Sequence, residues 1–247
     1  QIYSIIINLK YLKMKKKNSK PKSSFFHFRK IKNSKNYKIS YYKGWHNLLI
    51  FHIEFLKTIK EKHFFNKNEI NKPNSVEKVL ILSKGNAIAK EENFKKKLKK
   101  FDCIHTSKSL KNFELQCKKG SQLFVIFGGK KLKINRKINF FNFEKSLKKI
   151  DLWGGQCISR VFNGYGMTIV LFKLKRGFKF HDKGHKNEQI TWLIKGKMKF
   201  YIKNKLLLLE VNKTSVDIGS YDFHGGTSLG AIGFDAFSPK RSERRYS

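Results

Sequence analysis

From Leu152 onward, apolar and polar positions alternate in short runs separated by Gly, Asn, Lys or His turns. The runs QCISRVF, MTIVLFKL, ITWLIKG, KMKFYI, LLLLEV, TSVDIG and AIGFDAFS carry the period of two that sends successive side chains to opposite faces of a strand. Such a series, with no helical pattern between its members, predicts an all-β sandwich or barrel. In KGKMKFYIKNK, the lysines at 195, 197, 199, 203 and 205 fall on one side of the ribbon and mark its solvated face.

The chain before residue 150 reads differently. In GWHNLLIFHIEFLKTIKEKHFF, positions 48, 49, 52, 55, 56 and 59 approximate one helical face, and His46, His52 and His63 read as surface or core imidazoles. VEKVLILSKGN predicts a strand entering a glycine turn, and AIAKEENFKKKLKKF an amphipathic helix. Two further apolar segments, DCIH and SQLFVIFGG, follow with helix-compatible sequence between them. This alternation predicts part of an open α/β sheet. The turn Ser83–Asn86, set between a strand and a helix, would then present N–H groups to a phosphate or serve as plain loop geometry. The expected fold class is α+β overall: a basic, flexible tail over residues 1–45, an α/β segment over 46–150, and a β-barrel over 152–247.

Composition changes this picture little. The 247 residues carry 55 Lys and Arg against 17 Asp and Glu, a formal charge of +38. A charge of that size ordinarily signals a polyanion partner, and a basic nucleic-acid-binding protein is one alternative reading. However, Lys, Ile, Asn and Phe are abundant throughout and Pro totals 3, the bias of an AT-rich genome, so most of the charge reads as solvated strand faces. Cys103, Cys117 and Cys157 are too scattered for a disulfide framework, which points to a reducing, cytoplasmic setting. With no apolar run long enough to cross a bilayer, no membrane partner is expected.

The chemistry concentrates in GFKFHDKGHKNEQITWLIKG, Gly177 to Gly196, and in His224 of SVDIGSYDFHGGT. These segments resemble the two motifs of the cupin superfamily of small jelly-roll barrels, the first of which reads G-x5-H-x-H-x3,4-E-x6-G. With both glycines aligned, His185 takes the second histidine position, Gln189 the acidic position, and His224 the histidine of the second motif. The lead-in ISRVF and MTIVLFKLKRG and the closing GFDAFSPKRSE are also similar, so the resemblance covers about residues 152–247. It departs from the pattern at Lys183, where a first histidine is usual, at Gly219, where Pro is usual, and at Tyr221, where Gly is usual.

The resemblance implies a divalent metal (iron, manganese, nickel or zinc) held by His185, Gln189 and His224, with His181 as a substitute for the missing ligand. A neutral amide at position 189 would bind a hard cation more weakly than a carboxylate. Lys183 and His181 are the expected catalytic groups, as proton carrier or carboxylate anchor. Trp192, Tyr201 and Asp222 are expected around the substrate, with Asp222 two residues from His224 and placed to orient that imidazole or to cap a turn. The implied function is a metal-dependent cupin, an isomerase or dioxygenase by type, acting on a small sugar, uronate or other carboxylate. The alternative is a non-catalytic sugar- or small-molecule-binding module with a degenerate metal site. A homodimer formed through the barrel is a further expectation.

Overall fold

The computed structural model describes residues 23–27, 29–44, 48–59, 77–91, 94–107, 113–128 and 138–241. Among them there is no helix, and about 66% lie in strands. The first half contributes β1 (Ser24–Phe26), β2 (Arg29–Asn33), β3 (Tyr37–Lys43), β4 (Leu49–Phe55), β5 (Glu77–Lys84), β6 (Ala87–Glu91), β7 (Phe94–Leu98), β8 (Asp102–Thr106), β9 (Glu114–Cys117), β10 (Gln122–Gly128) and β11 (Asn139–Asn142). The second contributes β12 (Lys149–Leu152), β13 (Cys157–Asn163), β14 (Thr168–Leu174), β15 (Lys179–Asp182), β16 (Glu188–Ile202), β17 (Lys205–Glu210), β18 (Ser215–Ile218) and β19 (His224–Ser238).

The expected α+β class is therefore corrected to all-β. The segment read as a helix after residue 46 contains β4, and AIAKEENFKKKLKKF contains the antiparallel pair β6 and β7. Ser24–Lys43, within the stretch read as a tail, carries three strands. The Ser83–Asn86 turn joins β5 to β6 and not to a helix, and Gly85 takes φ +83° against Ser121. The phosphate reading loses its helix N-terminus.

Two large antiparallel sheets face each other. One runs β11-β8-β5-β10-β4-β3-β2, and the other β1-β18-β16-β19-β14-β13-β12, with β15 against β19 and β17 against β16. A small sheet β7-β6-β9 closes the first half. Alternation within the central strands builds three apolar layers. From β5, β4 and β10, residues such as Leu80, Leu82, Phe51, Ile53 and Val125 point into a core filled from the small sheet by Ala87, Ala89 and Leu115. Their neighbours Val79, Ile81, Ile50, Phe124 and Ile126 point the other way, against Ile169, Leu171, Ile190, Trp192, Phe234 and Ala236 of the second sheet. The opposite face of that second sheet, with Phe172, Leu174, Met198 and Phe200, lines the C-terminal barrel. The barrel also takes in β1, which pairs with β18 from Ser24 opposite Asp217 to Phe26 opposite Ser215.

His52 stacks on Phe124 at 4.6 Å in the middle layer, where burial pushes its pKa down to about 4, a core imidazole. His46 and His63 lie outside the described residues. The three cysteines are free and buried. No helix among the described residues is long and apolar enough to cross a membrane.

Candidate metal centre

The glycines that anchor the sequence motif do so for steric reasons. Gly177 and Gly196 have φ of +85° and +78°, and a Cβ on Gly196 would sit 1.7 Å from the Gly230 carbonyl oxygen. Gly196 lies where β16 bulges against β19, with register shifts at Leu193/Lys195 and Gly196/Met198. The bulges set which side chains of β16 turn inward.

A cavity of about 140 Å³ opens inside the C-terminal barrel, room for roughly five waters at about 30 Å³ each. Its polar wall includes Asp182, Gln189, Thr191, His224, Asp235 and Arg241; its apolar wall includes Phe172, Phe180, Met198 and Phe237. Asp182, His185 and His224 each offer one donor atom within 4.8 Å of the others. Their rings and carboxylate come from three places: the end of β15, the loop after it, and the start of β19. The imidazoles of His185 and His224 meet edge to face with centroids 5.4 Å apart.

Hydrogen bonds hold this group in place. Nδ1 of His224 donates to the Asp222 backbone carbonyl at 2.8 Å, which leaves Nε2 as its lone-pair atom. Gln189 Oε1 lies 2.9 Å from His185 Nε2, while the Gln189 amide donates to Thr191 Oγ1 and Asp235 Oδ1, both at 3.0 Å. Thr191 in turn donates to Asp235 Oδ1 at 2.5 Å. Thr191 and Asp235 face each other across β16 and β19, and Gln189 is two residues from Thr191 on the same side. The Gly184 N–H donates to Asp182 Oδ1 at 2.9 Å, and Arg241 Nη2 approaches Asp182 Oδ2 at 3.5 Å. The Arg241 guanidinium also covers the Phe237 ring, 4.8 Å from its centroid.

The charge states suit a cation. Burial, reinforced by the Arg241 charge, pushes His185 down to about 4, so it is neutral at pH 7 with a lone pair available. His224 is lowered as well, chiefly by burial and against the pull of the Asp222 carbonyl. Burial raises the Asp182 carboxyl, but the Gly184 N–H, the two imidazoles and Arg241 outweigh it and hold the group below its ordinary range. Asp235 borders the cavity yet lies deep in the barrel, where burial lifts it to about 6 against the Thr191 and Gln189 hydrogen bonds.

The structure brings His185, Gln189 and His224 together, and places Asp182 beside them. His181 borders the cavity, but its side chain is exposed, and Lys183 is exposed and outside the cavity wall. The reason is a turn: β15 ends at Asp182, and Gly184, at φ +96° and packed against the Tyr221 backbone, redirects the chain before His185. Trp192 points from β16 into the layer between the sheets, against Phe124 and Phe234, because its parity is that of Ile190 and opposite to that of Gln189. Tyr201 lies on the outer side of β16 beside Phe223. The Asp222 carboxylate bonds Ser23 and pairs with Lys203 at 2.8 Å, so it is the backbone carbonyl of Asp222, and not its side chain, that orients His224. Asp182, Thr191, Asp235 and Arg241 were not anticipated. The Asp-Lys-Gly turn and the period of two from Gln189 carried signals for the first two, whereas Asp235 and Arg241 depend on sheet register.

No protein-family model and no curated protein sequence matches the chain. Solved structures do, over nearly its whole length. Protein Ylba from E. coli, of family model DUF861, superposes with a TM-score of 0.68 at 11% identity, covering 95% of this chain and 98% of that one. The putative glyoxylate-induced protein from Pseudomonas aeruginosa gives 0.68 at 8% identity, covering 93% and 95%. Oxalate decarboxylase from Lactobacillus farciminis, solved as a formate complex, gives 0.64 at 10%, covering 91% and 88%. At such identities the likeness carries the fold alone, a cupin-type fold like that of these structures.

Proposed function

We propose that the C-terminal barrel binds a divalent metal ion through Asp182, His185 and His224, with Gln189 as a fourth oxygen donor, and receives a small anionic ligand beside it. The observation that carries the reading is the convergence of two neutral imidazoles and one anionic carboxylate within 4.8 Å of one another, with His224 and Asp182 on the wall of the cavity. Two histidines with one carboxylate form a mixed nitrogen and oxygen set suited to a first-row divalent ion. His185 Nε2–H donates to Gln189 Oε1 at 2.9 Å, which leaves its buried Nδ1, without a hydrogen-bond partner, as the His185 lone-pair atom, while the second lone pair of Gln189 Oε1 stays open to a cation.

The residues divide the work by position. Asp182 supplies the anion of the donor set, and Arg241, buried against Phe237, supplies a counter-charge that fits a ligand carboxylate. Phe172, Phe180 and Met198 make part of the remaining cavity wall apolar. His181 is exposed at the cavity edge. A bound ion would polarise a carbonyl or hydroxyl of the ligand. Among the structural neighbours is oxalate decarboxylase, whose substrate is a small carboxylate, and this agrees with a small carboxylate as the ligand class.

The test is metal analysis of the full chain after reconstitution with iron, manganese, nickel or zinc and removal of excess. Near-stoichiometric metal is expected, falling at least tenfold in His224→Ala with the fold retained. A full chain that holds no metal under replete conditions overturns the reading.

A further inference from the structure

The position that carries a carboxylate in the resembling motif is Gln189 here, and a neutral amide has two ends. One end offers an oxygen to a cation; the other offers two N–H donors that would repel it. Which end faces the metal group is decided by what lies behind the amide. Behind Gln189 stand Thr191 and Asp235, both on its own side of the paired strands β16 and β19. Asp235 Oδ1 receives the Gln189 amide at 3.0 Å and the Thr191 hydroxyl at 2.5 Å. The Thr191 oxygen receives a bond from the same Gln189 nitrogen at 3.0 Å. Since the Thr191 hydrogen is committed to Asp235, its oxygen can only accept, and both neighbours demand the N–H end of Gln189. The oxygen end is thereby turned to His185.

We infer that Asp235 is a positioning residue: through Thr191 and directly, it fixes the Gln189 amide with its oxygen toward the metal group and places behind that oxygen the negative charge position 189 lacks. The carboxylate has moved one shell outward and is linked back by hydrogen bonds. An outer carboxylate that polarises a donor raises its basicity, and losing such a partner typically costs about 10- to 100-fold in metal affinity. The inference rests on the metal reading given above.

The experiment measures the affinity of the full chain for Zn²⁺ and Mn²⁺ by competition with a chelator, alongside thermal unfolding of each metal-free variant. Asp235→Asn, whose amide can satisfy Gln189 in either orientation, is expected to bind about 10- to 100-fold more weakly. Thr191→Val, which keeps the shape and loses the relay, is expected to weaken binding by a smaller factor in the same direction. The double variant Gln189→Glu with Asp235→Asn returns the charge to position 189 with an amide behind it, and is expected to recover at least wild-type affinity. A residue that merely supports the barrel would not be rescued by that exchange. If the wild type binds and both single variants bind equally well, or the exchange fails to restore affinity in a folded protein, the role of Asp235 is overturned. If the wild type itself binds no metal, the reading of the centre fails first.

Discussion

Single residues in this chain owe their chemistry to which strand face they occupy. Asp217 illustrates the point away from the metal group. It is fully buried on β18, accepts the Tyr42 hydroxyl at 2.8 Å, and its Oδ1 has no hydrogen-bond partner. Burial, together with the nearby Glu188 carboxylate, lifts it from 3.8 to about 8. A carboxyl raised in the folded state gives its full stability below the unfolded value near 3.8 and loses it as pH rises through 8, since only the folded form retains the proton. Asn cannot ionise in either state. Asp217→Asn should therefore match the wild type at pH 4 and become the more stable of the two, progressively, as pH rises to 8, measured by chemical unfolding at both values. Equal differences at the two pH values would refute the assignment. The same dependence on facing explains what could be read of the site in the sequence. His185, Gln189 and His224 were legible from motif spacing, because the two glycines fix that spacing sterically. Asp182 was hidden by the assumption that alternation continues through residue 183, which the Gly184 turn interrupts. Asp235 was hidden because it meets Thr191 only through the pairing of two strands 44 residues apart.

Elements were legible where one face of a strand meets water and illegible where neither does. In β16, exposed Lys195, Lys197 and Lys199 alternate with inward positions, and the period of two is plain. In β4, Phe51, Ile53 and Phe55 enter one core and Ile50 the other, so five of the seven residues of LIFHIEF are apolar, without strict alternation, and the segment is equally compatible with a helical face. β6 and β7 failed for another reason: Ala87, Ala89 and Leu98 are the inward residues, and Lys95, Lys96 and Lys97 supply a helix-like charged surface. The short strand β1 had no legible signal at all, yet it completes the second sheet. Beside it, Ser23 bonds Asp222 and receives the Gly219 N–H at 2.7 Å, and Phe25 packs on Phe200 within the barrel. Removing residues 1–27 strips that edge of β18 and the Phe25 contact. The truncated chain should unfold ~2–4 kcal/mol more easily, by analogy with removal of a large buried side chain. Amide exchange should accelerate most in β18 and the 219–224 turn. Unchanged exchange there would show that β1 is not part of the barrel.

At the scale of the molecule, the two halves differ in what fills them. Inside the first, Phe51, Phe55, Leu80, Leu82, Phe113 and Leu115 pack together; inside the second, a cavity remains, bordered by polar groups. The first half acts on the second through the shared middle layer, where Phe124 meets Trp192 at 5.4 Å and Phe101 and Phe143 meet Phe234 at 6.3 and 5.3 Å. A polar clasp reinforces it: the buried Glu77 carboxylate takes the His105 ring at 2.8 Å and the Tyr165 and Gly166 N–H groups at 2.6 and 2.7 Å. The candidate metal ligands lie on β15, the loop after it, β16 and β19, and β16 and β19 show their other faces to this layer. A fragment of residues 151–247 would expose Ile169, Leu171, Ile190, Trp192, Phe234 and Ala236 together, an apolar face that isolated soluble domains do not tolerate. Expressed alone it should aggregate or bind a hydrophobic dye, and Trp192 emission should shift to the red of that in the full chain. Co-expression with residues 1–150 should restore both solubility and the blue-shifted Trp192. A soluble, monomeric fragment with native-like tryptophan emission would mean that the middle layer is dispensable, and that the barrel positions its histidines without the first half.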